Sequence, residues 1–215
     1  MKKFSIAREG LPYILLLLLL AVAFYPWRPY LSTVPFSLAL FCAFFFRNPY
    51  RCIPNTEGAI VSPADGVVLD IAETYEDNYL HDEAIKVSIF LSLFNVHINR
   101  IPFNGTVEYI SRVSGRFVPA FHRSASQVNS RNLVGIRTDW GKLLVVQITG
   151  LIARRIVCRA KVGSSYRTGE VFGLIKFGSC TEIYLPRNVV LSVKLGDKVK
   201  GGETVIGRIN DGVYS

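Results

Sequence analysis

The sequence predicts a mainly β protein, a sandwich or flattened barrel of short strands, preceded by an N-terminal hydrophobic helical hairpin. From about residue 55 onward, apolar and polar residues alternate with period two, and glycines recur at short intervals. The alternating runs are short and separated by turns, the spacing of an all-β domain. The front of the chain differs: residues 11–27 and 29–46 hold no charged side chain, and only Arg28 separates them.

Each of those two runs is at the short end for a bilayer span, which takes about 20 residues. A signal peptide is the rival reading of the first run. However, a second apolar run arrives where a polar mature sequence would start. Lys2, Lys3 and Arg8 precede the pair and Arg47 and Arg51 follow it. Positive charge at both outer ends predicts a hairpin with both ends on the cytoplasmic side. Pro26 and Pro29 break the arms around Trp27-Arg28, and Pro35 makes the second arm less regular. The expected division is a membrane-anchoring hairpin over residues 1–50 and a β-rich domain over residues 51–215.

In that domain the alternation predicts strands at Gly66–Ala72, Ala84–Leu91, Thr106–Val113, Leu133–Thr138 and Lys142–Thr149. It predicts further strands at Ile152–Arg159, Glu170–Lys176, Thr181–Leu185, Val189–Val193 and Thr204–Ile209. A weak helix is expected near Ala120–Val128. Residues 73–83 are acidic and read as a solvated loop. Ser62-Pro63-Ala64-Asp65-Gly66-Val67-Val68 and Gly196-Asp197-Lys198-Val199-Lys200-Gly201-Gly202-Glu203 resemble the two halves of lipoyl-carrier hairpins. More than a hundred residues separate them, so they predict lipoyl-like hairpin architecture and not a carrier.

Of 25 Lys and Arg and 16 Asp and Glu, 21 and 15 lie from Arg47 onward, leaving that part about +6 (21 − 15). Such a balance suits nucleic acid or anionic lipid. The hydrophobic front favours lipid, and no RNA-binding signature is present. Cys42, Cys52, Cys158 and Cys180 have neither zinc-site nor disulfide-framework spacing, which predicts reduced thiols. No metal site is expected, because carboxylates are scattered and no two histidines have ligand spacing.

Near the C-terminal end, an apolar alternating run passes through Lys176-Phe177-Gly178-Ser179-Cys180-Thr181-Glu182. By composition Gly178-Ser179 is a turn between strands. Its company changes the reading: Phe45-Phe46-Arg47-Asn48-Pro49-Tyr50-Arg51, Ser62 to Val68, and Phe94-Asn95-Val96-His97-Ile98-Asn99-Arg100-Ile101-Pro102 precede it in order. Behind a hydrophobic N-terminus, these segments resemble the phosphatidylserine decarboxylase proenzymes of the short, archaeal-type subfamily. The match covers nearly the whole chain.

The resemblance implies a carboxy-lyase that makes its own cofactor. Ser179 attacks the Gly178 carbonyl, and the resulting ester eliminates. Residue 179 becomes a pyruvoyl group that condenses with the serine amine of phosphatidylserine, and carbon dioxide leaves to give phosphatidylethanolamine. Residues 1–178 become a large chain and residues 179–215 a small chain, held together as a heterodimer; a higher oligomer is left open. Phosphatidylserine and anionic membrane lipid are the implied partners, the cell membrane the implied location, and nucleic acid no partner.

A serine hydroxyl needs a base, and histidine is the usual one near neutral pH. His81 falls in the acidic stretch and reads as exposed. His97 matches the histidine of the family motif, which assigns it a catalytic role. Longer members carry a second histidine three residues on, where this chain has Arg100, which stays protonated and cannot be a base. His97 must then serve both steps, or another group must substitute, and Arg100 is a candidate for binding substrate carboxylate or phosphate. Asp65 alone reads as an Asp-Gly turn; the resemblance makes it the carboxylate that orients His97. His122 and Arg123 follow a Pro-Ala-Phe segment that the family places at the substrate entrance, and are candidates for headgroup contact. Arg154, Arg155, Arg159 and Lys161 form a basic cluster that is either a solvated face or a contact for anionic headgroups. Phe45, Phe46, Arg47 and Arg51 are expected to dock the domain at the interface.

Two rival readings remain at this level. One is a membrane-anchored lipoyl-like β-hairpin adaptor without catalysis, which leaves Gly178-Ser179, His97 and Asp65 without a purpose. The other is an unprocessed, inactive relative, on which Cys180 beside the cleavage pair bears.

Overall fold

The computed structural model describes residues 5–119, 125–151, 155–176 and 178–209. The chain forms two compact units, Met1–Tyr50 and Arg51–Ser215.

In the first unit, strands β1 (Ser5–Ile6) and β2 (Arg47–Asn48) pair antiparallel on either side of two helices. Helix α1 spans Leu11–Phe24 and α2 spans Pro29–Phe45. Pro29 opens α2, where the missing N–H would have had no helical partner. The turn between the helices is closed by the Arg28 N–H on the Phe24 carbonyl at 2.9 Å. Leu15, Leu19 and Val22 on α1 and Val34 and Leu40 on α2 are exposed, so apolar surface faces outward on both helices. With 14 and 17 residues, the helices extend roughly 21 and 26 Å, against a hydrocarbon core of about 30 Å. No helix among the described residues is long and apolar enough to cross a membrane.

The second unit is built of strands. In chain order they are β3 (Ala59–Val61), β4 (Gly66–Glu76), β5 (Asp82–Leu91), β6 (Ile98–Arg100), β7 (Gly105–Val113), β8 (Arg131–Thr138) and β9 (Gly141–Ile148). There follow β10 (Ile156–Cys158), β11 (Ser165–Tyr166), β12 (Val171–Ile175), β13 (Ser179–Pro186), β14 (Val189–Leu191), β15 (Lys198–Val199) and β16 (Val205–Ile209). A single helical turn, α3 (Ala125–Val128), precedes β8. Eight strands form one antiparallel sheet in the order β11-β7-β8-β9-β13-β5-β4-β15. Two three-stranded sheets, β10-β12-β6 and β14-β16-β3, complete the unit.

The large sheet is buried on both faces at its centre, and strand alternation shows which residue serves which face. Leu143 and Val145 on β9, with Ile183 and Leu185 on β13, join the main core together with Phe172 of β12 and Ile206 of β16. Leu144, Val146 and Cys180, at the intervening positions, pack with Tyr79 and Leu133 in a second cluster on the opposite face.

The two lipoyl-like stretches meet in space. Val67 and Gly66 pair with Lys198 and Val199, and the Val68 N–H donates to the Asp197 carbonyl at 2.9 Å. The acidic stretch 73–83 departs from expectation. It is a hairpin, with β4 running to Glu76 and β5 starting at Asp82. Glu76 is buried because its carboxylate accepts the N–H groups of Asn78, Tyr79 and Leu80 at 2.8–2.9 Å. Tyr79 between them stacks on Tyr109 with ring centroids 5.7 Å apart. Of the stretch expected as a strand at Ile152–Arg159, only Ile156–Cys158 pairs, and residues 152–154 lie outside the described residues. The expected helix at Ala120–Val128 is the α3 turn; residues 120–124 lie outside the described residues.

Candidate active site

β13 is an interior strand between β9 and β5, and Ser179 is its first residue, opposite Leu91 of β5. Alternation puts Ser179 on the face of Thr181, Ile183 and Leu185. The residue is fully buried, and its hydroxyl has no hydrogen-bond partner among the described residues. A buried hydroxyl without a partner costs free energy, which marks the group as reserved for something other than packing. Gly178 before it has φ +65°, the left-handed region that glycine adopts without penalty.

His97 reaches this point from the loop that joins β5 to β6. That loop is a tight turn closed by Asn95, whose Oδ1 accepts the Ser92 N–H at 2.9 Å and the Ser92 hydroxyl at 2.7 Å. The turn fixes the Asn95 carbonyl 3.0 Å from His97 Nδ1. A carbonyl only accepts, so Nδ1 carries the proton and Nε2 presents a lone pair. The Gly178 N–H donates to that Nε2 at 3.3 Å. The imidazole is therefore buried, oriented and seated on the backbone of the residue before Ser179.

Nδ1 faces the Asn95 carbonyl, and Asp65, expected to orient His97, makes its hydrogen bonds to other segments. Arg51 Nη2 donates to both of its carboxylate oxygens at 2.8 Å, and the Gly201 N–H donates to Oδ1 at 2.8 Å. Glu203 adds a second carboxylate, 3.5 Å from Arg51 Nη1. A buried carboxylate is held by the cation and the amide that reach it, and here both come from other segments. Arg100, expected at the substrate, is buried and donates to the Gly169 carbonyl at 2.9 Å. Burial and then the nearby Arg51 hold its pKa below the usual guanidinium value, while Asp65 and Glu203 oppose them. It belongs to the charge cluster that ties Asp65 to the Gly201 turn. His122 and Arg123 lie outside the described residues.

Two further features were not singled out by the sequence, and the effect of a third, Cys180, was left open by it. Asn95 is one, and its signal was available: an Asn three residues after a Ser is a turn former. The second is a buried polar row. Asn132 Nδ2 donates to Gln147 Oε1 at 2.9 Å, Gln147 Nε2 to Asn99 Oδ1 at 2.8 Å, and Asn99 Nδ2 to Thr181 Oγ1 at 3.0 Å. It crosses β8, β9 and β13 by register and is closed by β6. The third is the state of Cys180, which points away from Ser179. Burial first, and Glu182 second, push its thiol pKa far up, so it stays protonated and offers no competing nucleophile.

The residues present suit a serine-derived carbonyl cofactor. An unpartnered hydroxyl follows a glycine in a left-handed turn, with a base oriented on that glycine's own N–H. The sequence profile described as phosphatidylserine decarboxylase matches residues 38–207. A protein of Carboxydothermus hydrogenoformans named phosphatidylserine decarboxylase proenzyme is 53% identical over 203 residues, covering 94% of this chain and 95% of the relative. Proenzymes of the same name from Symbiobacterium thermophilum and Syntrophus aciditrophicus are 46% and 45% identical. They cover 97% and 94% of this chain, and 98% and 96% of their own lengths. The chain belongs to the phosphatidylserine decarboxylase family.

Proposed function

We propose that this chain is a proenzyme that cuts itself between Gly178 and Ser179 and then decarboxylates phosphatidylserine to phosphatidylethanolamine. Its family's activity is that of a carboxy-lyase dependent on a pyruvoyl group derived from serine. The observation that carries the site is the Gly178 N–H on His97 Nε2 at 3.3 Å, beside a buried Ser179 hydroxyl with no partner among the described residues.

In self-cleavage Ser179 Oγ adds to the Gly178 carbonyl carbon, and its proton passes to His97 Nε2. The carbon–nitrogen bond breaks, the nitrogen regains a proton, and the peptide becomes an ester. Loss of the residue 179 α-proton expels the Gly178 carboxylate and leaves dehydroalanine. Water then replaces its nitrogen, which departs as ammonia, and residue 179 becomes the pyruvoyl. That group supplies the electron sink that α-decarboxylation of an amino acid requires. His97, with Nδ1–H held by the Asn95 carbonyl, keeps Nε2 as the proton carrier for both stages. Asp65 acts by holding Arg51 and the Gly201 turn, which positions the small chain against the large one.

The small chain 179–215 contributes β13, between β9 and β5, and β15, beside β4, to the large sheet, and β14 and β16 to the three-stranded sheet with β3. Its strands are interleaved with those of chain 1–178, which supports a lasting heterodimer. The exposed apolar side chains of α1 and α2, with positive charge at both outer ends, support an enzyme bound to the cell membrane. They favour a cytoplasmic Arg51–Ser215 unit meeting anionic lipid.

Intact mass spectrometry of the purified, denatured chain, combined with assay of phosphatidylethanolamine from phosphatidylserine vesicles, tests this. Two masses, ending at Gly178 and beginning with a pyruvoyl-blocked residue 179, are expected. Hydroxylamine added during processing traps the ester, so that residue 179 stays a serine. One full-length mass, unchanged at neutral pH, sinks the proposal.

A further inference from the structure

The large sheet has an open basic pocket at the end where β13 begins. Its volume is about 280 Å³, and it is lined by Arg112, Arg131, Arg155, Ser114, Ser130 and Thr149, with no carboxylate in its wall. Arg112 and Arg155 are exposed, and among the described residues their guanidinium groups make no hydrogen bond or ion pair. Arg131 is half-buried and spends Nη1 on the Ser126 and Gln127 carbonyls at 3.1 and 2.6 Å. By strand alternation its side chain lies on the opposite face of the sheet, that of Leu133, in the neighbouring cavity lined also by Glu182. The guanidinium groups of Arg112 and Arg155, beside hydroxyls and with no acid in the wall, suit an anion with several oxygens.

The pocket is close to the cleavage site by two routes. Along the sheet, Cys180 opposes Ile148, Ile148 opposes Arg131, and Arg131 opposes Val113. At about 4.8 Å per strand, Arg112, in register with Asn132, Gln147 and Thr181, is roughly 14 Å from β13 along the backbone, a gap that an extended arginine and the headgroup span together. On the small sheet, the Arg155 carbonyl accepts the Lys176 N–H at 3.2 Å, and the Ile175 N–H donates to the His97 carbonyl at 3.2 Å. Arg155 is thus two strands from His97. The Asn132–Gln147–Asn99–Thr181 row joins the pocket wall to β6 and β13 as one hydrogen-bonded unit.

We infer that this pocket holds the phosphodiester of the lipid whose serine reacts at residue 179, an assignment that rests on the decarboxylase reading. In phosphatidylserine the phosphorus is separated from the reacting α-carbon by one methylene and one oxygen. With the α-carbon at residue 179, the phosphate anion lies toward the sheet end, within reach of extended arginine side chains. Binding there fixes the headgroup while the chemistry proceeds at its other end. Arg112 and Arg155 are specificity-determining residues in this account, and among the described residues they make no hydrogen bond to Ser179 or His97.

The test is the double variant Arg112→Gln/Arg155→Gln of the full chain in detergent, with self-cleavage followed by intact mass and decarboxylation by steady-state kinetics. The variant is expected to cut itself like the parent and to raise KM for phosphatidylserine tenfold or more, with a much smaller change in kcat. Inorganic phosphate is expected to inhibit the parent competitively and the variant far less. Normal cleavage with an unchanged KM overturns the assignment and leaves the decarboxylase reading intact. Phosphate inhibition that the variant abolishes without any change in KM for the lipid makes this a free-anion site, and likewise overturns it. Should the Gln variant not fold, the parent alone decides: competitive inhibition by inorganic phosphate supports the assignment, and none at about 100 mM phosphate, where the screening length of roughly 10 Å still leaves contact-range ion pairs intact, overturns it. A parent that neither cuts itself nor decarboxylates is the separate failure of the underlying function.

Discussion

His97 Nε2 lies 3.3 Å from the backbone nitrogen of Gly178, which donates its hydrogen to it. The base of the proposed reaction is thereby attached to the residue whose carbonyl is attacked. The attachment is prepared on the other side of the ring, where the Asn95 carbonyl takes the Nδ1 proton. A neutral imidazole in the wrong tautomer would face the Gly178 N–H with another N–H, so the Asn95 contact decides whether Nε2 can accept.

Ser179→Ala is expected to give one uncleaved, inactive chain of full-length mass. It removes a hydroxyl that is buried without a partner among the described residues, so folding loses nothing by the change. The S179A chain should melt no lower than an uncleaved H97A chain. Decarboxylation surviving in S179A would remove the mechanism.

His97→Ala is expected to accumulate precursor, with the cleavage rate lowered by about two to four orders of magnitude, the range typical of a lost general base. Because the ring leaves a hole beside Gly178, added imidazole should restore part of the rate in a concentration-dependent way. The time course of the two product masses, with and without imidazole, checks this. Cleavage at the parent rate without imidazole would return His97 to a structural role.

The strands were legible because alternation and burial coincide in them. Leu143 and Val145 face one cluster and Leu144 and Val146 the other, as the period-two reading of this stretch required. The acidic hairpin was not, because Glu76 in sequence is one of several charges. Its burial depends on three N–H groups that a turn brings to it. The site was legible only in part for a related reason. The order of segments brings His97 and Gly178 to mind as partners, but nothing local says that Asp65 will be met by Arg51 and by Gly201, 136 residues away. Nor does the sequence say that Asn132, Gln147 and Thr181 fall in one row, since that follows from register.

Asp65→Asn separates the two readings of that aspartate. It leaves Arg51 buried with half of its compensation and with Arg100 nearby, and loss of one partner from a buried pair costs about 3–5 kcal/mol. Urea unfolding of the detergent-solubilised S179A precursor with and without D65N should show a loss of that order. In the cleavable chain, under conditions where D65N is folded, cleavage should be impaired far less than in H97A. Equal impairment of the folded chains would favour the triad reading of Asp65.

Glu76→Gln gives a pH-dependent signature. Burial raises the Glu76 pKa, but the hydrogen bonds from Leu80, Asn78 and Tyr79 together outweigh it and leave the value lowered. A carboxyl depressed below its unfolded value of about 4.3 stabilises the fold above that pH. The contribution is lost as pH falls through the folded-state value. The E76Q chain should therefore unfold at lower urea than its parent at pH 7, with the gap closing in acid. A gap that stays constant as the pH falls would show that the carboxylate charge contributes nothing.

Gln147→Leu tests the polar row. Gln147 accepts from Asn132 and donates to Asn99, so leucine in its place strands one donor and one acceptor at once. All four members of the row are buried, at most 1% exposed, and water does not replace the lost partners. Each stranded group costs about 1–3 kcal/mol, so a loss of about 2–4 kcal/mol in unfolding free energy is expected. The loss should also reach function, because Asn99 lies two residues from His97, and Thr181 two residues from Ser179, on the strands that the row ties together. Asn132→Leu removes only the far end and leaves Gln147, Asn99 and Thr181 joined. It should therefore destabilise without slowing self-cleavage as Q147L does. Equal cleavage rates in Q147L and N132L would show that the row stabilises the sheet and does nothing to align the cleavage site.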